Sequence, residues 1–401
     1  MITVEEAEKI ILSQVKDYGI ESIPFENSLN RVLAEDLIAD RDLPPFNRAT
    51  LDGIAINYES LQHNIRAFYV KATQAAGDVP VDINNADECI EIMTGAALPA
   101  STDTVIGYED ITIQNGIAII KSASVNKGQG VHAKAKDKNK NEIVALANQL
   151  ITPALINIAA AVGKIKLPVK KLPKVIVISS GDELVEADET PSPYQIRRSN
   201  SYTVKAALAK YNLFADLLHI PDDPEITKKK ISDCLQNYEV IILSGGVSMG
   251  KFDYIPQALQ KLSVNKLFHK VKQRPGKPFW FGVNANDALF FALPGNPVST
   301  FMCLYRYVLP WLKASMGLSI DNPLYAILSE DIFFQPSLQY FLQVKLNVNK
   351  HGYLMATPVA GNNSGDFANL SDSDAFMELP LEQNNFTKGE VFKIWPFREL
   401  F

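Results

Sequence analysis

The sequence predicts a multi-domain protein of α/β plus β class, built around a doubly wound α/β domain. Three observations carry this. From Val175 onward, apolar strand runs alternate with helical patterns: Val175–Ser179, Asn200–Tyr211, Ala215–Ile220, Asp223–Gln236 and Val240–Leu243. That repetition calls for a parallel sheet with helices packed on it. From Ala67 to Ile120, short apolar alternations are separated by turn residues, an all-β signature that returns after residue 322 in FLQVKLNV and YLMATPVA. A chain of 401 residues has room for several such domains.

Taken in order, Thr3 and Glu6 stand at capping-box spacing, followed by Ala7, Ile10, Ile11 and Val15 at helical period and Gly19 as a stop. Residues 1–40 therefore read as helical and extended. LPPFNRATLDGIAI enters through prolines into an alternating run, and Asn115-Gly116 between IGYEDITI and IAII reads as a hairpin turn. Residues 121–142 are rich in Lys, Asn and Gly and read as a solvated loop. Residues 143–165 read as helix, with Thr152-Pro153 at a start position. IKLPVKKLPK then links to the α/β domain, which continues through Ile255–Leu262, two strands near Phe279–Gly282 and Leu289–Ala292, and one long helix over Val298–Met316. After Gly317–Asn322 a small β-domain closes the chain, with turns at Gly352 and Gly361-Asn362-Asn363.

Composition narrows the function classes. Hydrophobic residues at 47% and charged residues at 21% are ordinary for a globular protein. A net charge of −6 argues against a general nucleic-acid binder. Cys89, Cys234 and Cys303 are far apart without metal-ligand spacing, which fits a reducing compartment, and the histidines form no zinc pattern. No apolar stretch has membrane-spanning length and the first residues are not a signal peptide, so a cytoplasmic protein is expected, with no membrane or nucleic-acid partner.

The chemistry gathers where strands end. In a parallel sheet the carboxyl ends share one edge, so their loops converge on one crevice. The strand of EVIILSGG ends in Ser244-Gly245-Gly246, then Ser248, Gly250 and Asp253, before a helical pattern near Ile255. Such a turn brings backbone N–H groups close to an anion. The other ends carry Ser180-Gly181-Asp182-Glu183, Pro221-Asp222-Asp223-Pro224 and Leu293-Pro294-Gly295-Asn296-Pro297. Glu183, Asp222, Asp223 and Asp253 together imply Mg²⁺ bridging to a phosphate-bearing ligand, although Asp223 before Pro224 also suits a helix N-cap. Alternation sets Lys270, Lys272 and Arg274 on one strand face, and the Pro275-Gly276 turn presents Lys277, a row of cations suited to an oxyanion or diphosphate. An exposed edge strand guarded by lysines reads the same way. Asp52 and Thr94 lie at glycine-containing loops that pattern alone leaves as ordinary turns.

LDGIA at 51–55, IMTGAALP at 92–99, SSGDEL at 179–184, PDDP at 221–224, SGGVSMGKFDY at 244–254, RPGKP at 274–278 and LPGNPVS at 293–299 occur in series. Together they resemble the molybdopterin molybdenumtransferase family, that of MoeA and the gephyrin E domain. The resemblance implies an interrupted N-terminal dimerisation domain (1–40 and 141–171), an inserted β-rich domain (41–140), a molybdopterin-binding α/β domain (172–318) and a C-terminal β-barrel (319–401). It implies a homodimer that inserts molybdate into adenylylated molybdopterin, with Mg²⁺-dependent hydrolysis of the adenylate and release of AMP and molybdenum cofactor. Molybdopterin adenylyltransferase and acceptor molybdoenzymes are the implied partners, together with a second copy that shares the cleft. Asp52, Thr94, Glu183, Asp222 or Asp223, Asp253, Lys270 and Ser364 match family active-site positions. Arg274 and Lys277 join the catalytic cations; Gly181, Ser244, Gly245, Gly246, Ser248, Pro275, Gly276, Pro294, Gly295 and Asn296 form the ligand cradle. Three departures stand out: Arg274 where lysine is common, Gln343 for an arginine, and VHAKAKD at 131–137, which keeps only Asp137 of a Gly-Glu-Asp triplet. An adenylyltransferase and a non-catalytic dimeric scaffold are the competing readings.

Overall fold

The computed structural model describes residues 1–246, 254–320, 322–359 and 367–398. The chain forms two compact units, one of residues 1–34, 148–152 and 168–401 and the other of residues 35–147 and 153–167. In the first, β1 (Val175–Ser180), α1 (Asn200–Ala209), β2 (Asp216–Ile220), α2 (Pro224–Asn237), β3 (Val240–Ser244), α3 (Tyr254–Lys261), β4 (Asn265–His269), β5 (Trp280–Val283), β6 (Leu289–Leu293) and α4 (Pro297–Cys303) follow in order. The sheet order is β2-β1-β3-β6-β5-β4. β2, β1, β3 and β6 are parallel, with Val177 opposite Leu217 and Ile242, and Ile242 opposite Phe291. β5 runs antiparallel to both β6 and β4, because only a short turn through Asn284 and Asp287 joins β5 to β6.

Strand residues alternate between two cores, as period-2 geometry requires. Val175, Val177, Val240, Ile242 and Phe291 face Val204 and Leu208 of α1 together with Phe279, Met302 and Trp311. Ile176, Ile178, Ile241, Leu243 and Phe290 face Ile231 of α2 and Ile255 and Leu259 of α3. Burial on both faces explains the unbroken apolar runs of β1 and β3.

The expected single helix over 298–316 is three segments: α4, a π turn over Leu304–Val308, and α5 (Leu309–Ser315). Pro310 has no N–H to give and its ring crowds the preceding turn, which accounts for the wider π loop just ahead of it. The N-terminal helix, Val4–Leu12, carries the expected capping box, with Glu6 N donating to Thr3 Oγ1 at 3.1 Å. It ends at Leu12 rather than near Gly19, where Ser13 Oγ donates back to Ile10 O at 2.7 Å.

The closing β region contains β7 (Leu324–Leu328), β8 (Gln339–Val348), β9 (Leu354–Pro358), β10 (Ala375–Leu379) and β11 (Val391–Pro396). They run β8-β9-β7-β11-β10, and β10 pairs back to β8, closing a five-stranded barrel around Ala326, Val344, Ala356, Met377 and Ile394. The Gly361-Asn362-Asn363 turn lies outside the described residues.

The second unit holds a six-stranded sheet in the order Thr104–Gly107, Gly53–Ile56, Glu88–Ile92, Ala67–Gln74, Ile117–Ile120, Ile111–Gln114. Asn115 and Gly116 at φ 50° and 77° make the expected hairpin. Residues 143–165 are not all helix. Ile143–Ala145 is a strand paired with Leu37–Ile38, and the helix is confined to Pro153–Ala161. Among the described residues no helix is long and apolar enough to cross a membrane.

One buried cation ties the first unit together. Arg306, 2% exposed, gives a bidentate pair to Glu8 of the N-terminal helix at 2.8 and 3.0 Å. It also lies 3.3 Å from Glu378 of β10 and 4.3 Å from the Trp395 ring of β11. Burial works to raise the Glu8 carboxyl, but the Arg306 hydrogen bond and charge hold it below its usual value. Glu8→Gln should destabilise the protein by about 2 kcal/mol in urea melts at neutral pH. Because the folded-state value is depressed below 4.5, that contribution is complete above pH 4.5 and fades as pH falls through the folded value. Wild type should therefore lose stability more steeply than Glu8→Gln across that acid limb.

Candidate functional site

Strand order reverses at β1, which stands between β2 and β3, so a crevice opens between the carboxyl ends of β1 and β3. There a recess of about 100 Å³ is lined by Ser179, Ser180, Arg198, Ser201, Gly245 and Gly295, with Ser244 and Glu183 also at its wall. The expected loops of β1, β3 and β6 do come together. A Cβ on Gly295 would stand 3.3 Å from Gly245 Cα, so two loops meet backbone to backbone. Gly246, at φ +64°, could take no Cβ without meeting Ser180 Oγ at 2.8 Å.

Two cradle assignments change. The amide of Gly245 donates to Leu293 O at 3.2 Å and that of Gly181 to Ile220 O at 3.3 Å. Both N–H groups join neighbouring strand ends, so the Gly245 amide, expected to hold a phosphate, is committed to a carbonyl. Asn296 caps α4, accepting from Ser299 N at 3.3 Å, while Pro294 O accepts from the buried Thr300 hydroxyl. Asn200 Nδ2 donates to Gly295 O at 2.8 Å, fixing that loop against α1.

The acidic set is only partly assembled. Asp223 is the N-cap of α2, accepting from Glu225 N at 2.9 Å and Ile226 N at 2.8 Å, so its carboxylate serves the helix. Asp222 N donates to Asp182 Oδ1 at 3.1 Å, which joins the β1 and β2 loops. Glu183 is exposed and folds back over Gly181. Among the described residues no three Asp, Glu, His or Cys side chains gather as a metal cage. Of the expected Mg²⁺ set, Glu183, Asp222, Asp223 and Asp253, the Asp223 carboxylate is committed to the helix. Asp253, Ser248, Gly250 and Ser364 lie outside the described residues.

The cation segment also departs from a plain strand. Lys270 adopts φ 73°, and regular pairing is interrupted between β4 and Gln273–Arg274, which pairs in parallel with β8. Alternation of burial survives: Val271 and Gln273 are fully buried, Lys270 and Lys272 half-buried, and Arg274 exposed. Lys277 is exposed on the turn that follows. That turn is held from beneath. Gln273 Nε2 donates to Gly276 O at 2.9 Å, and Gln273 Oε1 accepts from Tyr307 of the π turn. Gly276, at φ +90°, has Cys303 Sγ and Met302 Cε each 2.8 Å from where a Cβ would be, which gives it a packing role. Arg274 lies 5.9 Å from the Phe334 ring, itself stacked on Tyr340 at 4.1 Å. Arg274, Pro275, Val298, Phe334, Tyr340 and Gln343 line a groove of about 350 Å³, so two of the three departures share one wall.

In the second unit, Asp52 Oδ1 accepts from Thr94 N at 2.6 Å and Thr94 Oγ1 at 2.7 Å. The backbone bond first, then the hydroxyl, holds the Asp52 carboxyl below its usual range. Asp137 of the VHAKAKD loop lies 3.1 Å from His132 Nε2. Sequence reasoning missed Arg198, Asn200 and Ser201. Their signal was the RRSNS run across the start of α1, a pair of arginines abutting the helix N-cap.

A molybdopterin-binding-type α/β domain joined to a closed β-barrel defines the class of protein. Residues 2–163 match the family described as MoeA N-terminal region (domain I and II), residues 176–314 the probable molybdopterin binding domain, and residues 325–397 the MoeA C-terminal region (domain IV). A molybdopterin molybdenumtransferase of Synechocystis is 37% identical over 98% of this chain and 100% of its own length. One from Haemophilus influenzae is 30% identical, covering 100% of both chains. The crystal structure of molybdopterin biosynthesis MoeA protein from Pyrococcus horikoshii OT3 superposes with a TM-score of 0.83 at 26% identity, covering 99% of this chain and 100% of the other. The chain belongs to the molybdopterin molybdenumtransferase (MoeA) family.

Two substitutions separate fold from chemistry. Asp223→Ala should cost about 1 kcal/mol through the lost cap and leave turnover nearly intact, whereas Asp222→Ala should lower turnover with little change in melting. Paired urea melts and activity assays check both. Gly276→Ala should cost about 2 kcal/mol, since it adds a Cβ to a left-handed, filled position.

Proposed function

We propose that this protein, a transferase of molybdenum cofactor biosynthesis, inserts molybdate into adenylylated molybdopterin and releases AMP. The observation that carries the reading is full-length kinship with proteins of that name, joined to converging strand-end loops and a braced cation turn. Hydrolysis breaks the phosphoanhydride P–O bond of the adenylate, so negative charge must be held on both the departing AMP and the pterin phosphate. Lys270, Arg274 and Lys277 supply the cations, and Arg274 adds a planar fork for bidentate contact. Gln273 acts beneath them as a positioning residue, because its side chain pins the Gly276 carbonyl.

The reading includes Mg²⁺ dependence, although among the described residues no three metal-ligating side chains gather as a cage. It also includes a cytoplasmic homodimer in which Asp52 and Thr94 help complete a cleft, supplied by an adenylyltransferase and unloading to molybdoenzymes. Support for these parts is the resemblance of motifs alone.

The test is AMP release from adenylylated molybdopterin, with and without molybdate. Molybdate-dependent release is expected, lowered about tenfold or more in Lys277→Ala. ATP consumption instead of AMP release would mean adenylylation, and ligand binding with neither would mean a scaffold.

A further inference from the structure

We propose that the hollow at the amino edge of the parallel sheet, at the far end of β1 from the candidate site, binds a nucleoside monophosphate. Val175 stands opposite Val240 and Val240 opposite Leu289, so Lys174, Glu239 and Ala288 lie side by side just ahead of β1, β3 and β6. All three line a hollow of about 640 Å³, within the range of roughly 300–1,000 Å³ usual for small-molecule sites. The linker before β1 and the end of α2 supply its walls. β1 runs from Val175 to Ser180, which sets this edge about 17 Å from the loops of the other.

Three lysines line the hollow from two segments, Lys16 after the N-terminal helix and Lys171 and Lys174 in the linker. All three are exposed, and among the described residues none is ion-paired, whereas the adjacent Lys170 is held by Asp17 at 3.0 Å. Ammonium groups gathered without a paired carboxylate favour a doubly charged phosphate. Two rings stand on the same lining. Phe214 is 75% exposed, and Tyr238 is fixed by donating its hydroxyl to Asp216 Oδ2 at 2.8 Å. Lys174 Nζ lies 4.8 Å from the centre of the Tyr238 ring, so cation and ring are presented together. A base stacked on Phe214 covers apolar surface that otherwise meets water.

The rest of the lining narrows the class of ligand. Gln236 and Asn286 bring exposed carboxamides, able both to donate and to accept, as the mixed edge of a base requires. Those of Asn212 and Asn237 donate to Leu29 O and Asp233 O. Asp216, Glu239 and Asp287 balance the three lysines, so net charge does not favour a simple polyanion. Asp216 is committed to Tyr238, and Glu239 Oε2 accepts from Lys174 N at 2.8 Å. Asp287, at φ 60° on the turn between β5 and β6, accepts no hydrogen bond at its carboxylate among the described residues. A carboxylate in that position suits ribose hydroxyls. Phosphate, base and ribose thus account for the cations, the rings and the carboxylate of one lining. The site does not rest on the insertase reading, because it shares no residue with the carboxyl-edge loops.

The test is calorimetric titration of the full chain with AMP, GMP and inorganic phosphate. Saturable binding of a mononucleotide is expected in wild type, and it should persist in Lys277→Ala, which weakens the cation turn at the other edge. Phe214→Ala should weaken it about tenfold through lost stacking. Lys171→Ala should weaken it about tenfold through a lost phosphate contact. Both side chains are exposed, so ligand-free melting should not change in either variant. Binding is read without turnover, so its failure is separate from failure of the insertase reading. No saturable mononucleotide binding in Lys277→Ala, or wild-type affinity in either Phe214→Ala or Lys171→Ala, overturns the site. Inorganic phosphate binding as tightly as both nucleotides overturns the class of ligand.

Discussion

The buried guanidinium of Arg306 is the constraint on which the first unit depends. It sits in a π turn, where an extra residue per turn changes which side chains point inward. Its bidentate pair with Glu8 draws in the N-terminal helix, while Glu378 and Trp395 bring in the barrel. Glu378 is itself held, accepting from Trp395 Nε1 and Gln339 Nε2 at 2.5 Å each. Such a pair adds little net stability over an apolar replacement, but it admits few alternative packings. Its neighbour Tyr307 then reaches Gln273, and Gln273 reaches the Gly276 carbonyl. The cation turn is thus shaped from its buried side.

The opposite wall is shaped by missing side chains. Gly245 and Gly295 let the β3 and β6 loops touch, and Gly246 makes room for Ser180. These glycines look like phosphate-loop residues in sequence, yet the amides of Gly181 and Gly245 are committed to neighbouring carbonyls. The recess is lined as well by Arg198, Ser201 and the start of α1. Close backbone approach and ligand binding leave the same Ser/Gly signature, and only the hydrogen-bond accounting separates them.

Much of this was legible beforehand because the signals are local. The apolar runs of β1 and β3, the Thr3–Glu6 capping box and the Asn115-Gly116 hairpin each follow from a few adjacent residues. The π turn was hidden, since Pro310 can begin a helix as readily as deform one. The strand at Ile143–Ala145 depends on its distant partner Leu37–Ile38, which no local window contains. For the site, motif order pointed to strand ends whose loops converge, but the division of Asp222 from Asp223 needed the observed cap. Arg198 escaped because a buried arginine resembles a surface one in sequence until its Glu186 partner is seen.

That Tyr307 holds the cation turn from beneath through Gln273 can be tested by hydrogen exchange over residues 271–278 in Tyr307→Phe. Removing one hydroxyl leaves Gln273 Oε1 buried without its donor, so exchange should be faster in that turn alone, with weaker binding of molybdate. Unchanged protection of the turn together with wild-type molybdate affinity would contradict it.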